Sequence, residues 1–279
     1  GIATYSQAGA QLVFTIPWIM VFSYPLMSAV QEISARIGRT TGHGLAGNLR
    51  QHYPNWLLQC IVIVLDIANI INLGSDLGAM GDVAEMMTGG PHLLFVLFFA
   101  VLCSSLQIFM QYSRYVAVLK WTTISLFAYF GTAFMVKVPW GQLAFGLFVP
   151  SIAWSSDYFN IITAVLGTTI SPYLFFWQSS QEAEDERIKP HRHPLVKAPQ
   201  ESDHAFKRIR LDTYVGMAFA NLVALAIIMT TAATLHAKGI TDIETSQQAA
   251  EALRPVAGNF AFAIFAFGII GTGLLAAPV

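Results

Sequence analysis

Six apolar stretches dominate this chain, at residues 12–30, 56–73, 93–110, 115–138, 158–177 and 215–235. A bilayer's hydrocarbon core is about 30 Å thick and takes roughly 20 apolar residues of helix to cross. Each stretch meets or approaches that length. A seventh, residues 260–279, reads as cut short, and residues 2–10 read as the second half of a helix that begins before Gly1. The expectation is an all-α, polytopic transmembrane bundle over residues 1–279, cut at both ends within membrane segments.

Composition agrees. Hydrophobic residues make up 55% of the chain and charged residues 11%, whereas a soluble domain carries about 25% charged residues. A net charge of −1 gives no basic signature for nucleic acid. Cys60 and Cys103 lie inside apolar stretches and form neither a disulfide framework nor a metal spacing; both read as small buried hydrophobes. The spans hold no nucleophile–base pair and no zinc motif, so the chain does not read as an enzyme. Nothing in it calls for an obligate protein partner; its evident surroundings are the lipid bilayer.

The loops orient the spans. Arg36, Arg39 and Arg50 follow the first stretch, Arg114 lies between the third and fourth, and seven Lys and Arg residues between Arg187 and Arg210 follow the fifth. The other connections hold only Lys137, Lys238 and Arg254. Basic loops stay on the cytoplasmic side, which places residues 36–53 and 181–210 there and residues 237–255 outside. The loop at 181–210 starts with Glu182, Glu184, Asp185 and Glu186 and continues to His191 and His193. A metal-sensing loop is one reading; a hydrated loop is the plainer one. Residues 240–252 read as a helical excursion before the last span.

Polar groups at membrane depth are costly and are functional candidates by default. The first group is Gly167-Thr168-Thr169-Ile170-Ser171-Pro172, mid-way along the fifth stretch. Proline removes a donor and clashes with the carbonyl four residues back. Unwound backbone is tolerated at this depth only inside protein or beside a water-filled cavity, and broken helices of this kind hold ions in inverted-repeat transporters. A simple proline kink remains the alternative. The second group is Asp66, Asn69, Asn72, Asp76 and Asp82. Asn69, Asn72 and Asp76 share one helix face, with Gly74 and Gly78 expected to admit a close neighbour. A polar ion pathway is the reading for Asp76 and Asn69, against a plain interhelical hydrogen-bond network. Thr4, Ser6, Gln7 and Gln11 form the third group.

Several motifs, taken together, resemble the natural-resistance-associated macrophage protein family of divalent metal transporters. Gln7-Ala8-Gly9-Ala10 resembles the segment after that family's first-helix Asp-Pro-Gly-Asn break. Gln31 to Gly42, with Ala35-Arg36, Gly38 and Thr41-Gly42, is similar to the cytoplasmic end of its second helix. Ser75-Asp76-Leu77 resembles a Thr-Asp-Leu on its third, and Gly167 to Ser180 its broken sixth helix. The resemblance spans the whole chain and implies a LeuT-like fold of inverted repeats, here from mid first helix to mid eighth.

The resemblance also implies a site. The family's first-helix Asp would precede Gly1, and its Asn position falls on Gly1. The sixth-helix carbonyl falls on Thr168, the methionine thioether on Ser171, and two histidines on Tyr173 and Gln178. Asp76 is kept; flanking acidic positions fall on Asn69 and Ala79. The implied metal ligands are thus Thr168, Ser171 and the Gly1 position, with Asp76, Gln178, Tyr173 and Asn69 along the pathway. Sulfur favours transition metals, whereas an all-oxygen site suits Mg²⁺ and Mn²⁺. The expectation is a multi-pass divalent cation transporter of the bacterial cytoplasmic membrane. It prefers hard ions, Mg²⁺ first and Mn²⁺ next, with little or no proton coupling and no cofactor beyond the transported ion. The alternatives are a proton-coupled Mn²⁺ or Fe²⁺ transporter and an organic-solute transporter of the same fold.

Overall fold

The computed structural model describes residues 1–109, 121–188, 193–243 and 245–277. Among them every regular element is helical. In chain order these are α1 (Ile2–Leu12), α2 (Trp18–Thr41), α3 (Leu45–His52), α4 (Asn55–Thr88), α5 (His92–Phe109), α6 (Phe127–Met135), α7 (Trp140–Phe148), α8 (Ser156–Thr169), α9 (Pro172–Ile188), α10 (Ser202–Thr234), α11 (Ser246–Glu251), α12 (Arg254–Ala257) and α13 (Ala261–Ala276). Short 3₁₀ turns sit at Val13–Thr15, Thr122–Leu126, Pro199–Glu201, His236–Lys238 and Gly258–Phe260.

Among the described residues, four segments are long and apolar enough to cross a membrane: Asn55–Thr88, His92–Phe109, Ser156–Arg187 and Pro199–Lys238. At 34 residues, α4 is about 50 Å long, well beyond the hydrocarbon core. Its flanks carry Val64, Ile70 and Ile71 exposed, as a surface solvated by lipid tails allows. Cys60, expected to be buried, is exposed on this helix, because lipid covers it as readily as protein does.

The expected span at 12–30 is not one helix. α1 ends at Leu12, Val13 takes a positive φ of 52°, and a 3₁₀ turn intervenes before α2. Pro17 explains the restart: it has no N–H to give to a preceding turn and suits the entry to a helix. The expected span at 158–177 is also divided, with α8 ending at Thr169 and α9 starting at Pro172. Of the span expected at 115–138, only the part from residue 121 is described, as a 3₁₀ turn running into α6. Residues 110–120, with Arg114, lie outside the described residues, as do Lys189, His191, Arg192 and the last two positions of the chain. α7 was not expected; nine residues are too few to register as a span.

The chain forms two compact units. The first comprises Gly1–Val21, Asn72–Thr168 and Leu222–Val279. Its core gathers Val83, Tyr129, Ile227, Leu253 and Phe265, and a second cluster gathers Ala8, Ile16, Ile19, Val165 and Ile228. α1 meets α10 closely: a Cβ on Gly9 would lie 2.1 Å from Thr231 Oγ1 and 2.3 Å from the Ile228 carbonyl. Glycine is the residue that permits such backbone contact. Thr230, Thr231 and Thr234 satisfy their buried hydroxyls on carbonyls of their own helix, the usual solution for hydroxyls in an apolar helix. Gln7 ties α1 to the segment before α11, accepting from the Ile243 N–H at 2.7 Å and donating to Asp242 at 2.9 Å. α11 itself starts with a Thr245–Gln248 capping box, so the excursion expected at 240–252 is helical in part. Gly74 and Gly78 do not mark a close helix approach: among the described residues nothing lies within 4 Å of a Cβ built on either.

The second unit comprises Phe22–Ile71 and Thr169–Asn221. Here α2 and α9 touch backbone to backbone, since a Cβ on Gly38 would lie 2.2 Å from the Ser179 carbonyl oxygen. The acidic stretch expected as hydrated loop is instead the end of α9. Glu182 and Glu186, one turn apart, are both 6% exposed. Glu182 pairs with Arg208 of α10 at 2.5 Å and Glu186 with Arg39 of α2 at 2.7 Å. Four-residue spacing puts both carboxylates on one face, and packed arginines make that face buried. Arg39 also donates to the His193 carbonyl at 2.7 Å and to Glu201 at 2.9 Å.

Candidate functional site

The interruption between α8 and α9 places Ile170 and Ser171 outside helix, mid-way along the apolar segment Ser156–Arg187. Pro172 begins α9, where its fixed φ and missing N–H are harmless. Ser171 is 2% exposed, and its carbonyl accepts from the Leu174 N–H at 3.1 Å. Around it, within the second unit, lies a space of about 10 Å³ lined by Met27, Gln31, Thr169, Ser171, Phe175 and Met217, among others. That volume matches one water-sized sphere.

Gln31 organises this region. It is 6% exposed, and its Nε2 donates to the Leu174 carbonyl and to Gln178 Oε1, each at 3.3 Å. One buried amide therefore fixes the first turns of α9 against α2. Neither Gln31 nor the methionines emerged as site residues from the sequence. The available signal was spacing: Gln31, Ser34 and Gly38 lie at i, i+3 and i+7, one helix face, and all three pack inward.

The other expected residues are placed as follows. Tyr173 and Gln178 lie half-buried on α9, and Asn69 half-buried on α4, all within the second unit. Gly1, Thr168 and Asp76 belong to the first unit. There a Cβ on Gly1 would sit 3.4 Å from Thr168 Cγ2, so these two are neighbours. Asp76 is half-buried on α4, while Asp66 and Asp82 are exposed. Asp82 pairs with His92 at 2.9 Å. Among the described residues no three His, Cys, Asp or Glu side chains come together as a metal cluster. The donors around Ser171 are hydroxyl and amide oxygens, carbonyls and two thioethers.

A family profile described as natural resistance-associated macrophage protein-like matches residues 1–279. The chain belongs to that family. Membership makes it a membrane-embedded protein of LeuT-like fold, in agreement with the interrupted helix and the long apolar segments. Curated relatives in the family include the divalent metal cation transporter MntH of Yersinia enterocolitica and the protein of the same name from Pectobacterium carotovorum. Each is 27% identical over 285 aligned positions, covering 98% of this chain. The chain spans 64% of the length of these family relatives.

Proposed function

We propose that this chain is the ion-handling part of a divalent metal cation transporter of the bacterial cytoplasmic membrane. It prefers Mg²⁺, then Mn²⁺, and moves them with little or no coupling to protons. The observation that carries the reading is the buried Ser171 at the helix interruption. An oxygen stands there where the family resemblance implies sulfur. Oxygen donors suit hard ions, and Mg²⁺ in particular keeps waters rather than surrendering them to a cage. The family resemblance assigns the donors: the Thr168 carbonyl, the Ser171 hydroxyl and the Gly1 position. It assigns Asp76, Asn69, Tyr173 and Gln178 to the ion pathway. Gln178 is held by Gln31, an amide pair that does not titrate, where a histidine would. A space of about 10 Å³ suits an ion or a water and supports an ion over an organic solute.

One observation favours the runner-up, a proton-coupled Mn²⁺ or Fe²⁺ transporter. Met27 and Met217 line the same small space as Ser171, so soft sulfur is present nearby. Flux in proteoliposomes separates the readings. Mg²⁺ uptake, competed by Mn²⁺ and without matching internal acidification, is the expected result. Uptake of Mn²⁺ with exclusion of Mg²⁺ refutes the hard-ion reading, and stoichiometric acidification refutes the uncoupled one.

A further inference from the structure

The second unit holds a much larger cavity, lined by none of the residues around Ser171. It has a volume of about 650 Å³ and is bounded by the end of α2, by α3, by the end of α9 and by residues 193–197. That size is typical of small-molecule sites. Its wall carries Arg187, Lys197, His43, His52 and His193, with Glu186 as its carboxylate.

The charges in this wall do not cancel. Glu186 is answered by Arg39 at 2.7 Å, with both side chains buried. Arg187 and Lys197 are exposed, and among the described residues neither has a carboxylate within ion-pair distance. The corner that presents the histidines is rigidly built. Asn48 donates through Nδ2 to Thr41 Oγ1 at 3.0 Å, to the His43 carbonyl at 2.8 Å and to the Gly44 carbonyl at 3.0 Å. Gly42 turns the chain at a φ of +70°, with Pro194 packed where a side chain would project. The cavity is thus preformed, polar and cationic. Metal is a poor occupant, because no three suitable ligands converge among the described residues. An anion is the matching class.

Depth identifies the source of that anion. Tyr53 and Trp56, 54% and 65% exposed, follow α3 directly and open the apolar helix α4. Exposed Tyr and Trp at the start of a spanning helix mark the headgroup level, and His52 at the cavity wall is one residue from Tyr53. Phosphate at that depth belongs to lipid, and basic pockets between spanning helices bind such headgroups. We propose that this cavity binds the phosphate of an anionic membrane lipid, through Arg187 and Lys197 with His43 and His193 beside them.

The test is lipid retention by the purified protein in phosphatidylcholine nanodiscs doped with phosphatidylglycerol, read by native mass spectrometry. The expected result is one tightly retained phosphatidylglycerol per protein, about thirtyfold weaker in the double variant R187Q/K197Q. Arg50→Gln, on α3 but outside the cavity wall, leaves retention unchanged. Equal retention by the wild type and the double variant overturns the proposal. So does an equal loss in Arg50→Gln, which would mark general surface charge. Millimolar inorganic phosphate displacing the lipid overturns the lipid assignment. Lipid counting does not depend on transport, so this result stands apart from the ion reading above.

Discussion

The side-chain amide of Gln31 on α2 donates to the amide oxygen of Gln178 on α9 at 3.3 Å, and to the Leu174 carbonyl at the same distance. Both contacts are independent of pH, since neither amide titrates. A histidine at 178 would put a group with an ordinary pKa of about 6.5 into this contact. Gln178→His is therefore expected to convert a flat pH profile of Mg²⁺ uptake into one that falls below about pH 6.5, where the imidazolium repels the ion. Uptake from pH 5.5 to 8 in proteoliposomes checks this; a flat profile in the variant removes Gln178 from the pathway.

Ser171 can be altered in chemistry with little change in size. Ser171→Cys exchanges oxygen for sulfur in a position that is 2% exposed. Soft donors select transition metals. The variant is expected to lose Mg²⁺ uptake about tenfold while retaining or gaining Mn²⁺ and Cd²⁺ uptake, a shift of roughly 1.4 kcal/mol in relative preference. Unchanged ion competition would show that the hydroxyl does not touch the ion.

Glycines 38 and 74 should respond oppositely to alanine. At Gly38 a Cβ lies 2.2 Å from the Ser179 carbonyl oxygen, a backbone atom that cannot rotate away. Gly38→Ala is expected to cost about 1–3 kcal/mol, as overpacking does, and to lower the thermal midpoint in detergent. At Gly74, where nothing lies within 4 Å among the described residues, alanine is expected to be neutral or to stabilise by up to about 1 kcal/mol through helix propensity. Thermal melts of the two variants against wild type decide both.

Arg39 holds three partners with a side chain only 3% exposed. Removing one partner of a buried pair strands the other, at about 3–5 kcal/mol. Arg39→Gln should approach that loss, whereas Arg39→Met combined with Glu186→Met should recover much of it, because the buried carboxylate leaves with its cation and Glu201, its side chain 40% exposed, remains to solvent. A double-mutant cycle by denaturation supplies the coupling; additive effects would show that the pair is not an energetic unit.

Much of the architecture was legible because apolar length is a local property. The spans later seen as α4, α5 and α10 needed only a count of residues, and the interruption at Ser171 needed only Pro172 with glycine and hydroxyl neighbours. Proline alone was ambiguous: Pro25 lies inside α2, whereas Pro17 precedes it. The pairings were not legible. Gln31 meets Gln178, and Arg39 meets Glu186, across 147 residues each. No local pattern encodes such a match, so the acidic end of α9 read as hydrated loop. Asn69 and Asp76 share a helix face, but a face does not say what stands opposite.

The same separation gives the Arg39–Glu186 pair a history. At about 5–20 residues per second of synthesis, roughly 7 to 30 s pass between the two residues leaving the ribosome. During that interval Arg39, in the last turn of α2, lacks its carboxylate from α9, which is when topology is chosen by charge. Once α9 and the turn at Pro199–Glu201 arrive, Glu186 and Glu201 absorb that charge. One arginine is thus expected to act first as a topogenic signal and afterwards as a cross-link.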